Sequence, residues 1–342
     1  MEISELIRRF VTNNATVVEI EKGGSGRRFF RLNITDRGPA ILCVYDGTRE
    51  ENALSANIAA FLGDKLGFPV PRVLDWNPES GTILFEDLGE QELWSMRDDC
   101  PEIRLRAWGD ALRSLAKLHS RDSLATFLKS DVKLMPGFDV DLYKWERDYF
   151  RDNAVERILG GPLPEARAAA LETELAALAG RLDALPRALV HRDCQSQNIL
   201  WKDDRAWFID FQGMRTGTGF YDLGSLLFDP YVTFTAGERA TLLGDYAEAA
   251  GMVRNREFLE NFFDATAQRM MQALGAYHFL GFEKGRTAFL PHIRPALGHL
   301  VLVTKENPKL PVLRELAEEL YVRHLIATNN IEIPLNPSVK AG

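Results

Sequence analysis

The sequence predicts an α+β protein of two lobes, a small one built on a mixed β-sheet and a larger one that is mainly helical. Three observations predict it. Residues 1–88 hold short runs of β-branched and aromatic side chains bounded by Gly, Pro, Asn and Asp, the pattern of strands. Most of the chain after Gly89 repeats its apolar residues at helical spacing. A single stretch, 189–213, breaks that pattern with loop and short-strand character.

Taken in order, VVEIEKGG, RRFFRLNI and AILCVYD read as strands separated by turn residues. Residues 50–66 read as a helix, with Leu54, Ile58, Phe61 and Leu62 near helical spacing. PVPRVLDWNPESGTILFEDLG returns to short strands about a turn at residues 77–81. Beyond Leu88 the character changes. Residues 102–119 form an amphipathic helix, with Ile103, Leu105, Leu112, Leu115 and Leu118 on one broad face. Helices are expected at 142–159 and 164–182, the second rich in the good helix formers Ala, Glu and Leu. After the interruption, helical periodicity resumes from 222 to 323. The expected division is therefore 1–88 for the first lobe, 89–330 for the second and 331–342 for a tail. The chain has no internal repeat and no low-complexity block.

With 342 residues, 46% of them apolar and 26% charged, the chain is long enough for two lobes with sizeable cores and is composed like a globular protein. Its net charge of −8 gives no footprint for wrapping nucleic acid, although a local basic spot could still hold a nucleotide. Cys43, Cys100 and Cys194 lie far apart and in no metal-ligand spacing, so neither a disulfide framework nor a zinc site is expected, and a cytoplasmic location fits. The stretch MEISELIRRFVTNN is charged throughout, unlike a signal peptide. No apolar run approaches the roughly 20 residues that span a bilayer. No membrane partner is expected, and the oligomeric state is left open.

The strongest motif is His191-Arg192-Asp193-Cys194-Gln195-Ser196-Gln197-Asn198, of the form HRDxxxxN, followed by Phe208-Ile209-Asp210-Phe211-Gln212-Gly213. Phosphoryl transfer needs a group that orients and deprotonates an attacking hydroxyl, and hard oxygen ligands that hold Mg²⁺ on the phosphates. Asp193 suits the first task; Asn198 and Asp210 suit the second. A second motif, Gly23-Gly24-Ser25-Gly26-Arg27-Arg28, lies between two expected strands. Glycines let the backbone approach phosphates and free its N–H groups to cradle them, and Arg27 or Arg28 could add charge. A tight hairpin turn would use the same residues.

These segments look like the catalytic loop, metal segment and phosphate-covering loop of kinases. From about residue 17 to 300 the chain most resembles the aminoglycoside phosphotransferase family of small-molecule kinases. Within it, Arg49-Glu50-Glu51-Asn52 and the form HRDxQSQN look most like the anomeric N-acetylmuramate/N-acetylglucosamine kinases of cell-wall recycling. The resemblance implies a two-lobed protein-kinase-like fold, ATP or GTP as donor, Mg²⁺, and a small hydroxylated acceptor. It makes Asp193 the catalytic base, Asn198 and Asp210 the metal ligands, His191 a buttress of the loop, and Phe85-Glu86-Asp87-Leu88 the hinge where the base docks. Asp222, in Tyr221-Asp222-Leu223-Gly224, reads as a helix cap or, by the resemblance, as a support behind the catalytic loop.

One departure stands out. Kinases of this type carry Lys or Arg on the third strand to hold the phosphates, and here the matching position is Cys43. Either Arg27, Arg28, Arg31 or Arg49 supplies the charge, or activity is weakened and the chain is a nucleotide-binding regulatory module. The implied acceptor is an amino sugar at its anomeric hydroxyl; an aminoglycoside or an amino alcohol is the alternative. Acceptor-side groups are expected in the helical lobe, with Asp229, Tyr231 and Arg269 as candidates.

Overall fold

The computed structural model describes residue 7 and residues 16–20, 26–34 and 38–329. Among them β1 (Val17–Ile20), β2 (Arg28–Ile34), β3 (Gly38–Val44), β4 (Val73–Asn77) and β5 (Thr82–Glu86) form one sheet in the order β1-β2-β3-β5-β4. Every pairing in it is antiparallel, rather than mixed. The register sets Phe29, Cys43 and Ile83 side by side, and likewise Arg31, Ile41 and Phe85. Strand side chains alternate between faces, so these six share one face. Phe30, Leu32, Ala40, Leu42 and Leu84 fall on the other, where they make a buried apolar cluster. Gly81 closes the turn before β5 at φ 62°, where a Cβ would lie 2.2 Å from the Tyr45 carbonyl oxygen.

The helix expected at 50–66 runs Glu50–Ala60 and continues as a π-helical turn, Phe61–Lys65. The helix at 102–119 runs Pro101–Leu118, with Pro at its start where no N–H is needed. It buries Trp108, Ala111, Leu112, Leu115 and Leu118, whereas Ile103 is exposed at the first turn, outside the expected apolar face. The sequence reading missed the helix Arg121–Leu128, which begins where Ser120 Oγ accepts from Ser123 N at 3.1 Å.

Two small hairpin-like pairs carry the 189–213 segment: β6 (Ala188–Val190) with β9 (Arg215–Gly217), and β7 (Ile199–Lys202) with β8 (Arg205–Phe208). Asp203 and Asp204 both have positive φ, 52° and 56°, which is the two-residue turn that matches the strand twist.

The chain groups into two compact units: Met1–Phe138 with Leu185–Leu227 and Val232–Asn255, and Asp139–Ala184 with Phe228–Tyr231 and Arg256–Gly342. The cut does not fall at Leu88. The five-stranded sheet and the 189–213 segment share the first unit, and backbone bonds tie the latter to the chain flanking the sheet. Trp201 N donates to Gln91 O at 2.7 Å, and Phe208 N to Pro69 O at 2.8 Å. In the second unit, helices Val140–Phe150 and Arg256–His278 approach closely at Gly275, where a Cβ would lie 3.0 Å from Tyr149 O. The expected helix 142–159 is interrupted there by a π-helical turn, Arg151–Val155. No helix among the described residues is long and apolar enough to cross a membrane. The expected tail, 331–342, lies outside the described residues.

Candidate active site

The loop after β6 is held from behind by one buried carboxylate. Asp222 Oδ2 accepts from His191 N at 2.7 Å, and Oδ1 accepts from Arg192 N at 2.8 Å. His119 Nε2 lies 3.1 Å from Oδ2. A carboxylate only accepts, so Nε2 is the donor. His119 Nδ1 lies 2.9 Å from the hydroxyl of Tyr246, which burial first and the Asp222 charge second hold well above the ordinary tyrosine range. Asp222 thus sits inside the first turn of helix Phe220–Leu227 and spends its oxygens on the loop, not on capping that helix. Arg192 is left-handed at φ 78°, an unfavourable state for a long side chain, and it directly precedes Asp193.

Asp193 is partly exposed. Its backbone carbonyl accepts from Gln195 N at 2.9 Å and from Asn198 Nδ2 at 3.0 Å. Asn198 therefore uses its amide NH₂ on the loop, and its Oδ1 remains the acceptor end. Ile209 N donates to Asn198 O at 2.9 Å, which sets the residue before Asp210 alongside Asn198. His191 Nε2 donates to Ile209 O at 3.0 Å and braces the same crossing, as a buttress should. Asp210 is itself left-handed, at φ 66°. Asp210 and Asn198 bring hard oxygen donors, the kind Mg²⁺ takes when phosphate and water complete its shell. No cluster of three or more His, Cys, Asp and Glu that could hold a metal occurs among the described residues.

Arg27 reaches across to this group. Its Nη2 donates to Asp210 Oδ1, and its Nη1 to Gln212 Oε1 at 2.7 Å. Burial opposes ionisation of Asp210, but the Arg27 guanidinium, with smaller help from Gln212 and His191, offsets it and holds the carboxyl below the usual range. Cys43 lies close enough to feel both charges. Burial pushes its thiol up to about 12, with Arg27 pulling down and Asp210 pushing up, so it stays neutral. The position where a strand cation was expected is therefore a buried thiol beside an arginine that comes from the loop.

The other candidate cations go elsewhere. Arg28 lies over the Phe30 ring, on the opposite face of the sheet from Cys43, and pairs with Glu19 at 2.8 Å in the open. Arg31 binds Asp87 at 2.6 Å, and also Glu90. Arg49 lies 3.5 Å from Glu51. Gly26 is left-handed at φ 72°, whereas Gly23, Gly24 and Ser25 lie outside the described residues.

At the expected hinge, Phe85 and Leu88 are buried, Glu86 pairs with Arg72, and the Asp87 carbonyl accepts from Lys202 Nζ at 3.2 Å. A cleft of about 660 Å³ opens here between Pro39, residues 87–91 and the β7–β8 turn.

Residues 16–262 match the APH family, described as a phosphotransferase enzyme family. The chain belongs to that family. It is a small-molecule kinase, a phosphotransferase acting on small-molecule hydroxyl acceptors, with a protein-kinase-like fold. It is similar to an N-acetylmuramate/N-acetylglucosamine kinase of Pseudomonas putida, 28% identical over 260 residues and 73% of each chain. It is also similar to one of that name in Pseudomonas aeruginosa, 26% identical over 90% of this chain and 89% of the other. Among solved structures, a choline/ethanolamine kinase family protein from Mesorhizobium loti superposes with a TM-score of 0.60 at 18% identity, covering 93% of this chain and all of the other.

The sequence reading missed His119, Tyr246 and Gln212. Gln212 lies inside the quoted motif and His119 at the end of the expected helix 102–119, but only their partners in the fold give these residues meaning. The acceptor-side candidates all fall in the second unit. Asp229 is fully buried and accepts from Tyr231 N at 3.0 Å; Arg269 donates to Gln272; the Tyr231 ring lies 4.0 Å from that of His292.

Proposed function

We propose that this kinase transfers the γ-phosphate of ATP to the anomeric hydroxyl of an amino sugar, N-acetylmuramate or N-acetylglucosamine. One observation carries the chemistry: the backbone that holds Asp193 is bonded to Asn198, and Asn198 to the residue before Asp210, so a base and two oxygen ligands ride on one braced crossing. The names of the curated relatives support the acceptor.

In this reading Asp193 takes the proton of the acceptor hydroxyl as its oxygen bonds to the γ-phosphorus. The bond from that phosphorus to the bridging oxygen breaks, and ADP leaves. Asn198 and Asp210 hold Mg²⁺, which when bound neutralises phosphate charge. Arg27 supplies the charge that Cys43 cannot, since a guanidinium is always charged and binds phosphate oxygens in pairs. Gly26 and the glycines before it cover the phosphates, and residues 85–88 receive the base. A cytoplasmic location belongs to the same reading.

The test is a mass-detected transfer screen with ATP and with GTP over N-acetylmuramate, N-acetylglucosamine, amino alcohols and aminoglycosides. The expected product carries phosphate on the anomeric carbon, read by ³¹P–¹H coupling. Transfer only to amino alcohols or aminoglycosides, or to another sugar hydroxyl, would refute the acceptor assignment.

A further inference from the structure

Asp210 Oδ1 already has two donors. Arg27 Nη2 donates to it, and Gln212 Nε2 donates at 3.1 Å. Gln212 also accepts from Arg27 Nη1 at 2.7 Å, so arginine, glutamine and aspartate close a three-membered ring of hydrogen bonds. The guanidinium is not a loose surface group. Its side chain is 7% exposed and its Cζ stands 5.4 Å from the centre of the Phe29 ring, on the Cys43 face of the sheet. A carboxylate oxygen that accepts two hydrogen bonds has both lone pairs engaged. Oδ1 cannot coordinate a cation in the same direction until a donor moves, and a cation that approaches through Oδ2 instead is repelled by the guanidinium on the same carboxylate.

We infer that Arg27 is a resident counter-ion of Asp210, which yields that carboxylate to a divalent cation only when nucleotide phosphates arrive to take the guanidinium. The inference rests on the reading of Asp210 as a metal ligand. It adds an order to that reading: the site takes the cation together with the nucleotide and discriminates against the free cation. The chemistry of the neighbours fits such an exchange. Phosphate oxygens offer the guanidinium the same planar, paired acceptors that Asp210 and Gln212 offer now. The neutral thiol of Cys43 leaves Arg27 without a competing cation on the strand. A Lys at 43 would hold the phosphates permanently and would push Arg27 away by like charge, so the two features belong together.

The experiment measures Mn²⁺ binding to the full chain by electron paramagnetic resonance, with and without a non-hydrolysable ATP analogue, for wild type, Arg27→Ala and Arg27→Gln. With Mn²⁺ alone, both variants are expected to bind about tenfold tighter than wild type, because the charged competitor for Oδ1 is gone. With the analogue present, both are expected to bind the analogue about tenfold weaker, because its phosphates have lost a charged partner. The two effects have opposite signs, which misfolding cannot produce. Unchanged or weaker binding of Mn²⁺ alone in both variants would overturn the inference. So would wild-type behaviour of Arg27→Gln, which removes the charge but keeps a hydrogen-bonding side chain. Asp210→Ala separates the two levels: if it binds Mn²⁺ and analogue as wild type does, the metal-ligand reading itself is wrong, whatever the arginine variants do.

Discussion

Replacing Asp222 by Asn tests whether the carboxylate behind the loop sets the rate of transfer or merely helps the protein fold. Asp222 accepts from Arg192 N at 2.8 Å on Oδ1, and from His191 N at 2.7 Å and His119 Nε2 at 3.1 Å on Oδ2. An amide has one oxygen. If its NH₂ takes the Oδ1 place, it meets the Arg192 N–H donor to donor. If it takes the Oδ2 place, it meets the His191 N–H, and His119 must turn its ring or change tautomer as well. Either way one loop amide loses its acceptor in a site with no exposure to solvent. A buried donor left unsatisfied costs about 1–3 kcal/mol. Part of that loss is relieved if Arg192 leaves its left-handed state, which is worth on the order of 1 kcal/mol. Relief by that route turns the peptide that leads into Asp193. The expected outcome is a stability loss of about 1–3 kcal/mol in urea, and a kcat lower by about 10²-fold, the scale of a misplacement near 1 Å. Nucleotide KM is expected to change by less than about threefold, since the phosphate side of the site is untouched. Purely structural support would lower stability alone. A folded Asp222→Asn enzyme with kcat within about threefold of wild type would refute the positioning argument.

Three further outcomes are expected. Asp193→Asn keeps shape but removes the proton acceptor, and should lower kcat by about 10²–10⁴-fold while nucleotide still binds; a kcat within about threefold of wild type would remove Asp193 from the role of base. Arg27→Ala should raise nucleotide KM by about tenfold or more, whereas Arg28→Ala, which loses an exposed pair with Glu19 and a contact over the Phe30 ring, should leave it within about twofold; equal effects in steady-state kinetics would contradict the face assignment. His278 is buried, and burial pushes it down to about 4, below its unfolded value of about 6.5. The unfolded chain then takes the proton first as pH falls, so stability is full above about pH 6.5 and is lost as pH drops toward about 4, by up to about 3 kcal/mol for this group. His278→Leu should flatten that window in urea unfolding at pH 7.5 and 4.5, and an unchanged slope would rule it out.

What the sequence could and could not say follows from how each signal is encoded. The segment that carries Asp193, Asn198 and Asp210 could be singled out because the proposed roles depend on spacing within one short stretch, and spacing is written in the sequence. The helices at 50–66 and 102–119 were legible for the same reason: apolar recurrence is local. Ile103, in the first turn of its helix, is exposed although the apolar recurrence includes it. Where the chain divides into compact units could not be read, since that depends on bonds such as Trp201 N to Gln91 O, made across more than a hundred residues of chain. His119 and Tyr246 were invisible on the same ground: they meet each other and Asp222 only after folding.

The replacement for the strand cation shows the limit most sharply. That Cys43 carries no charge is plain from the sequence, and so is the pair Arg27-Arg28 that follows the glycines. Which of the two replaces it turns on the pleat. Phe29 pairs with Cys43, so a side chain over Phe29 lies on the thiol's face and one over Phe30 lies behind the sheet. A shift of one residue in that register would exchange Arg27 and Arg28 without changing a letter of the motif. The charge is thus specified jointly by the adjacent arginines at the start of β2 and by the apolar cluster of Phe30, Leu32, Ala40, Leu42 and Leu84 that fixes the register. A substitution that loosens this cluster, far from any phosphate, is therefore a substitution in the active site's electrostatics as well.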